Sequence, residues 1–260
     1  MKNRYIGAVL AMGGLLWMGP VPVSAEKKYT APRIEKGSKE ADLQGIWEAN
    51  NTAQYSLEWH SGGTRIRPGK SFITDTTDGM IPYTAAGRAK QQSNFKNRFD
   101  ADTVNHCYMT GVPRFVTSGY PFQIFQTAKY IVIASEYTHM LRYVYMARNK
   151  HTYQGLDFWN GDSIGHWEGD TLVVDTQDFN DQTWLDASGN HHSGQLKVVE
   201  RFTRTSADTM DYKATLTDPA TYTKPFTIQM TLNRNPDKFA QLMEYECHSY
   251  AEDDQANSGQ

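Results

Sequence analysis

His191 and His192 stand side by side in a stretch that also holds Asp186, Ser188, Gly189, Asn190 and Ser193, directly before Leu196-Lys-Val-Val-Glu-Arg-Phe202. Imidazole changes charge near neutral pH, and polar loops are where proton-transfer groups tend to be presented. A second polar group, Asp162, His166, Glu168 and Asp170 around Trp167, lies within Trp159-Asn-Gly-Asp-Ser-Ile-Gly-His-Trp-Glu-Gly-Asp-Thr-Leu-Val-Val-Asp175. Two acidic and basic pairs complete the set: Glu136 with Arg142, and the adjacent Glu200 and Arg201. An imidazole acid or base, a guanidinium that steadies developing negative charge and a carboxylate that orients them suffice for elimination, isomerisation or hydrolysis without a cofactor.

These groups need a scaffold, and from Phe122 onward the chain reads as strands. Residues 122–126, 130–136, 140–146, 171–175, 196–202, 210–216, 226–232 and 239–247 are rich in β-branched and aromatic side chains. Turn signals separate them, among them Glu168-Gly169-Asp170, Ser188-Gly189-Asn190 and Asn235-Pro236-Asp237. Short connections between eight or nine such strands predict a mainly β domain over residues 41–250: a single antiparallel β-barrel, with a half-open β-sandwich as the alternative. One short helix is expected over 83–97, capped by Thr84. Asp162-Ser-Ile-Gly165 reads as a bent polar loop. In a barrel the interior is the expected place for a small molecule.

Alternation sorts the polar residues by face. Tyr130, Val132, Ala134 and Glu136 share one apolar face, and Met140, Arg142, Val144 and Met146 share another. A tight hairpin centred on His139 sets Glu136 opposite Arg142, either as an ion pair bracing the hairpin or as a pocket arginine for an anionic or carbonyl oxygen. Leu196, Val198, Glu200 and Phe202 form the more apolar face of their strand, which turns Glu200 inward and Arg201 outward.

The run from Trp159 to Asp175, followed by His192-Ser193 and Leu196-Lys-Val-Val-Glu-Arg201, resembles a family of exported bacterial proteins of unassigned function. That family carries a W-x-G-D-S-x-G-x-W-E-G-D-T-L-V-V-D core and an H-S-x-x-L-x-V-V-E-R motif. The resemblance singles out His192, the histidine followed by serine, as the acid or base. The family usually has aspartate after that serine; here Gly194 stands there and removes an acid that would orient the imidazole. Gly45-Ile-Trp47 is similar to the Gly-x-Trp that opens the first strand of lipocalin-like barrels, where the tryptophan plugs one end.

Lys2 and Arg4 precede an apolar run from Tyr5 to Met18, and Val23-Ser24-Ala25 offers the small residues that a signal peptidase reads. The run is too short and too interrupted by Gly13, Gly14 and Pro20 for a membrane anchor, so cleavage after Ala25 and a periplasmic or secreted protein are expected. Lys2 and Arg4 are the only charges in residues 1–25, so cleavage moves the net charge from −3 to −5. That balance gives no footprint for nucleic acid or an anionic membrane. Residues 26–40 read as a flexible lead-in and 251–260 as a disordered tail. Cys107 and Cys247, the only cysteines, predict a disulfide in an oxidising compartment, with a thiol nucleophile or metal ligand as the alternative.

Serine-hydrolase chemistry is not expected, phosphate-cradling loops and dinucleotide fingerprints are absent, and nothing fixes the carboxylate spacing a glycosidase needs. No His-x-His, His-x3-His or His-Glu-x-x-His spacing occurs, so neither metal nor cofactor is expected; a site built from His192, His151 and an acid is the alternative. Two functions follow. In the first, His192, Arg142, Glu200 and Glu136 perform cofactor-free acid–base chemistry on an apolar or aromatic compound held by Trp167, Trp184, Tyr143, Asp162 and His151. In the second, the same pocket binds such a ligand without turnover. Fifteen tyrosines suit either, since tyrosine joins an apolar face to a hydroxyl.

Overall fold

The computed structural model describes residues 29–62, 67–138, 140–152, 155–245 and 247. The expected signal segment, His139 and the tail 251–260 lie outside the described residues. Among the described residues nine strands close into one barrel in sequence order. They are β1 (Gly45–Glu48), β2 (Phe122–Gln126), β3 (Tyr130–Ser135), β4 (Leu141–Tyr145), β5 (Asp162–Glu168), β6 (Thr171–Gln177), β7 (Lys197–Arg204), β8 (Thr209–Thr217) and β9 (Phe226–Arg234). The barrel and the short helix are as expected, and the helix, α1 (Ala85–Lys96), starts where Thr84 Oγ1 accepts from Gly87 N at 3.0 Å.

Inward positions alternate along the strands, and their side chains merge into one core with Trp47, Phe122, Ile131, Ile133, Phe202, Tyr212, Phe226 and Ile228 at its centre. Trp47 is fully buried, donates from its indole to the Leu43 carbonyl at 2.9 Å, and has the Arg204 and Arg234 guanidinium carbons 5.7 and 6.0 Å from its ring. An aromatic plug faced by two cations suits the negative face of an indole. Where β1 is too short to cover β9, residues 72–74 take its place: Thr74 N donates to Thr227 O and Ile73 bridges Ile228.

Two expectations are corrected. Asp162–Glu168 is strand β5, not a polar loop; Gly165 makes room there, because a Cβ would come within 2.7 Å of Val144 Cγ1 and Met146 Sδ. The described residues of 239–247 form no strand, because β1 already pairs with β9 and closes the sheet. Tyr245 makes a lone parallel bridge to Tyr137, and the Cys107–Cys247 disulfide fastens that extended segment instead of a strand. Residues 29–40 lie against the barrel, with Ala31 buried and Arg33 Nη1 2.5 Å from Asp170 Oδ1.

The barrel is not antiparallel throughout. β4 and β5 run parallel and pair only through Val144 with Ser163 and Tyr145 with Ile164. Parallel neighbours need a connection that returns the chain to the starting end. Residues 146–161 make that return without forming a helix or strand among the described residues, and Leu141–Tyr143 of β4 are left without a β5 partner.

Candidate functional site

Arg142 and Glu200 meet inside the barrel. Both are buried, and Arg142 Nη1 donates to Glu200 Oε1 at 3.1 Å while Nη2 donates to Oε2. Arg142 Nε donates to Ser163 Oγ at 3.2 Å and Nη2 to Thr176 Oγ1 at 2.9 Å. Tyr212 donates its hydroxyl to Glu200 Oε1 at 2.9 Å, and burial beside that carboxylate raises the tyrosine pKa well above its ordinary value. The guanidinium therefore spends its donors on the protein. A buried charge is tolerated only when so paired.

Glu136 is not Arg142's partner. The inward face of β3 is Ile131, Ile133 and Ser135, opposite to the face expected, and Arg142 stands across from Ile133. Both faces of Tyr130-Ile-Val-Ile-Ala134 are apolar, so alternation has nothing to distinguish them. Glu136, past the end of β3, accepts from Met243 N at 2.9 Å. On β7 the faces are as expected, with Glu200 inside and Arg201 outside, donating to Glu168 Oε2 at 2.7 Å.

His191 and His192 are buried, not displayed at a barrel mouth. His192 Nδ1 lies 2.9 Å from the Ser193 carbonyl, so it carries the proton, and Nε2 accepts from Thr183 Oγ1 at 2.7 Å. Burial lowers its pKa, and the neutral ring is held edge-on to Phe179. No hydrogen bond, ion pair or ring contact among the described residues joins His192 to Arg142, Glu200 or Glu136. His191 stacks on Tyr83 with ring centres 5.4 Å apart, and burial, followed by the charge of Lys90, brings its pKa down to about 4. Asp186, fully buried beneath this loop, accepts from Leu57 N, Ser188 N and Asn190 Nδ2, and desolvation still raises its pKa to about 6. These groups hold the β6–β7 connection against residues 54–58 and α1.

The parallel seam opens a cleft of about 530 Å³. Its walls are Leu141, Tyr143 and Tyr145 of β4, Met109 from the segment before the β2 strand, and residues 156–161 of the return connection, with Arg142, Asp162 and Ser163 at the barrel side. Met109, Leu141, Tyr143 and Leu156 are 40, 50, 48 and 55% exposed, and Trp159 is stacked on Tyr108 at 4.9 Å. A rim of this kind on a polar surface marks an interaction site.

Asp162, the first residue of β5, ties the cleft to a buried polar cluster. Its Oδ2 accepts from His151 Nδ1 at 2.9 Å and its Oδ1 from Arg148 Nη2 at 2.6 Å, while the Arg148 guanidinium lies 3.5 Å from the centre of the Tyr145 ring. The β5–β6 register pairs Asp162 with Gln177, which delivers Asp178 beside it; Phe158 N donates to Asp178 O at 2.9 Å and fixes that corner. A carboxylate on Nδ1 leaves the other imidazole nitrogen, Nε2, to accept a proton or a metal.

Of the expected substrate contacts, Tyr143 and Asp162 line the cleft and His151 bonds to Asp162. Trp184 is buried in the β6–β7 connection, and Trp167 packs from β5 against the core near a separate groove that it shares with His166. Sequence reasoning missed Asp178 and Arg148. Each stands just beyond a strand end, and only the register of β4, β5 and β6 brings them together. Comparison of this chain with protein-family models, with curated proteins and with solved structures found no match.

Proposed function

We propose that this chain is an exported binding protein for a small apolar or aromatic compound, held in the cleft at the β4–β5 seam. One observation carries the reading: the apolar side chains of Leu141, Tyr143, Met109 and Leu156 stand exposed together around a cleft of about 530 Å³. Ligand sites of that size, mostly apolar with a few polar groups at one end, are typical of small-molecule binders. Asn160, Asp162 and Ser163 supply the polar end, and the Asn160 side-chain oxygen has no partner among the described residues. Export is supported by the amino-terminal segment, by the resemblance to exported proteins and by the disulfide.

A second reading, acid–base turnover of the bound compound, rests on His151, whose Nδ1 is held by Asp162 and whose Nε2 has no hydrogen-bond partner among the described residues. His192 takes no part, since both its ring nitrogens are engaged.

Purified protein and its Tyr143→Ala and His192→Gln variants are incubated with a metabolite extract, and the retained and free fractions are read by mass spectrometry. Native protein and His192→Gln should retain the same apolar or aromatic compounds, and Tyr143→Ala should retain roughly tenfold less, the loss of about 1.4 kcal/mol of contact. Equal retention by Tyr143→Ala refutes the cleft as the site. Products formed by native protein but not by His151→Gln favour the second reading.

A further inference from the structure

We propose that His151 Nε2, Asp178 and Asp175 hold one divalent first-row transition-metal ion, with Asp162 orienting the imidazole from Nδ1. His151, Asp162 and Asp178 bring side-chain atoms to within 4.8 Å of one another. Around an ion with bonds of about 2.1 Å, neighbouring ligands stand about 3 Å apart and opposite ones about 4.2 Å. Closing the cluster on an ion therefore takes shifts of under about 1 Å, within the reach of side-chain rotation.

The decisive feature is an imidazole with nothing to do. The His151 side chain is 8% exposed, yet its Nε2 has no hydrogen-bond partner among the described residues, and the same holds for Asp178 Oδ2. A buried polar atom without a partner costs free energy that native structures rarely tolerate, and a Lewis base left bare between carboxylates is supplied by a cation. Asp175 Oδ2 lies 3.7 Å from Nε2, too far for a hydrogen bond but close enough to share an ion. On the other side Asp162 holds Nδ1 at 2.9 Å, the carboxylate contact that fixes the tautomer and raises the basicity of a metal-ligating histidine.

Charge points the same way. Among the described residues Arg148 is the guanidinium paired with this group of Asp162, Asp175 and Asp178, and with the imidazole neutral, as ligation requires, two negative charges remain. A divalent ion balances them. One nitrogen and carboxylate oxygens without a thiolate suit manganese, iron, cobalt or zinc better than copper(I). Calcium and magnesium prefer sites made of oxygen alone. The site stands independently of the ligand reading, although Asp162 belongs to both the cluster and the cleft wall.

The test uses untagged exported protein, stripped with a chelator and titrated with cobalt(II), then with zinc(II) in competition, and followed by the visible absorption of bound cobalt. One cobalt per chain is expected, displaced by zinc and unaffected by a hundredfold excess of calcium. His151→Gln and Asp178→Asn should each weaken binding about 100-fold, whereas His166→Gln, which removes an exposed histidine paired with Glu168, should leave it unchanged. Absence of stoichiometric binding overturns the proposal, as does binding that survives both variants or is lost with His166. Asp178→Asn keeps the shape of the side chain, so if His151→Gln fails to fold by circular dichroism, the Asp178→Asn titration decides alone.

Discussion

Replacing Glu200 with glutamine tests whether the interior ion pair is structural. Glu200 is fully buried and accepts two bonds from Arg142 and one from Tyr212. Glutamine keeps the volume and one acceptor oxygen, but it turns an NH2 toward one of these donors and removes the negative charge, leaving the buried guanidinium with the Ser163 and Thr176 hydroxyls and a single neutral amide oxygen. Breaking a buried pair from one side costs about 3–5 kcal/mol. For a chain of this size that lowers the melting temperature by roughly 6–20 °C. Removing the whole network tells the same story from the other direction: Arg142→Met with Glu200→Leu leaves Tyr212 without an acceptor, so Tyr212→Phe is added. The triple variant should lie within about 2 kcal/mol of the native protein, because apolar replacements of a buried pair are close to neutral. Urea unfolding at pH 7, followed by tryptophan fluorescence, supplies the free energies. A cost below about 1 kcal/mol for Glu200→Gln refutes the reasoning. It would mean that water in the cleft already solvates the guanidinium, returning Arg142 to the list of groups that can hold a ligand.

Two further outcomes follow from the β6–β7 connection and the carboxyl-terminal segment. His191 has a folded pKa near 4, below the ordinary unfolded value of about 6.5, so its contribution to stability is complete above pH 6.5 and is lost as pH falls toward 4. The full shift corresponds to about 3 kcal/mol, and solvent screening reduces it to about 2 kcal/mol. Asp186 runs the opposite way: with a folded pKa raised to about 6, it favours the fold below about pH 4 and loses that contribution as pH rises to 6. His191→Phe removes this group while leaving His192 and Asp186 in place, so its stability change between pH 7 and pH 4 should be about 2 kcal/mol more favourable than that of the native protein in urea titrations; equal changes refute the assignment. Reducing the Cys107–Cys247 disulfide, which spans a sequence separation of 140, should cost about 2–5 kcal/mol and lower the melting temperature by roughly 4–20 °C, with an unchanged midpoint as the contrary result.

The barrel was legible because its strands advertise themselves. β7, β8 and β9 alternate cleanly, and Val198, Glu200 and Phe202 turn inward as their neighbours require. The helix was legible for the same kind of reason, a cap and a run of helix formers. β3 was not, because its outward face is as apolar as its inward one, and a face reversal misplaces every charge assigned by alternation, Glu136 included. His192 misled for a different reason. A histidine among polar residues looks exposed in sequence, yet Asp186, Asn190 and Thr183 are polar because they satisfy buried backbone and each other, not because they face water.

The location of the site follows from a topological fact that local sequence patterns hide. In an antiparallel pair the turn and the ladder are neighbours in the chain, and little space remains between strands. β4 and β5 are instead joined by a long return and run parallel, and the barrel is closed there, as at β1–β9, by only two residue pairs. That is where outward aromatic residues of β4 stay uncovered and where the starts of β5 and the end of β6 bring Asp162 and Asp178 together under His151. The Trp159 to Asp175 run is dense in polar and aromatic residues because it builds this seam: its first residues line the cleft, Asp162 anchors the histidine, Gly165 lets β4 approach, and Glu168-Gly169-Asp170 turns the chain into β6. A joint closed by two residue pairs can widen for a ligand without disturbing the other eight strand pairs, which is the physical reason for proposing the seam, and not the filled interior, as the binding site.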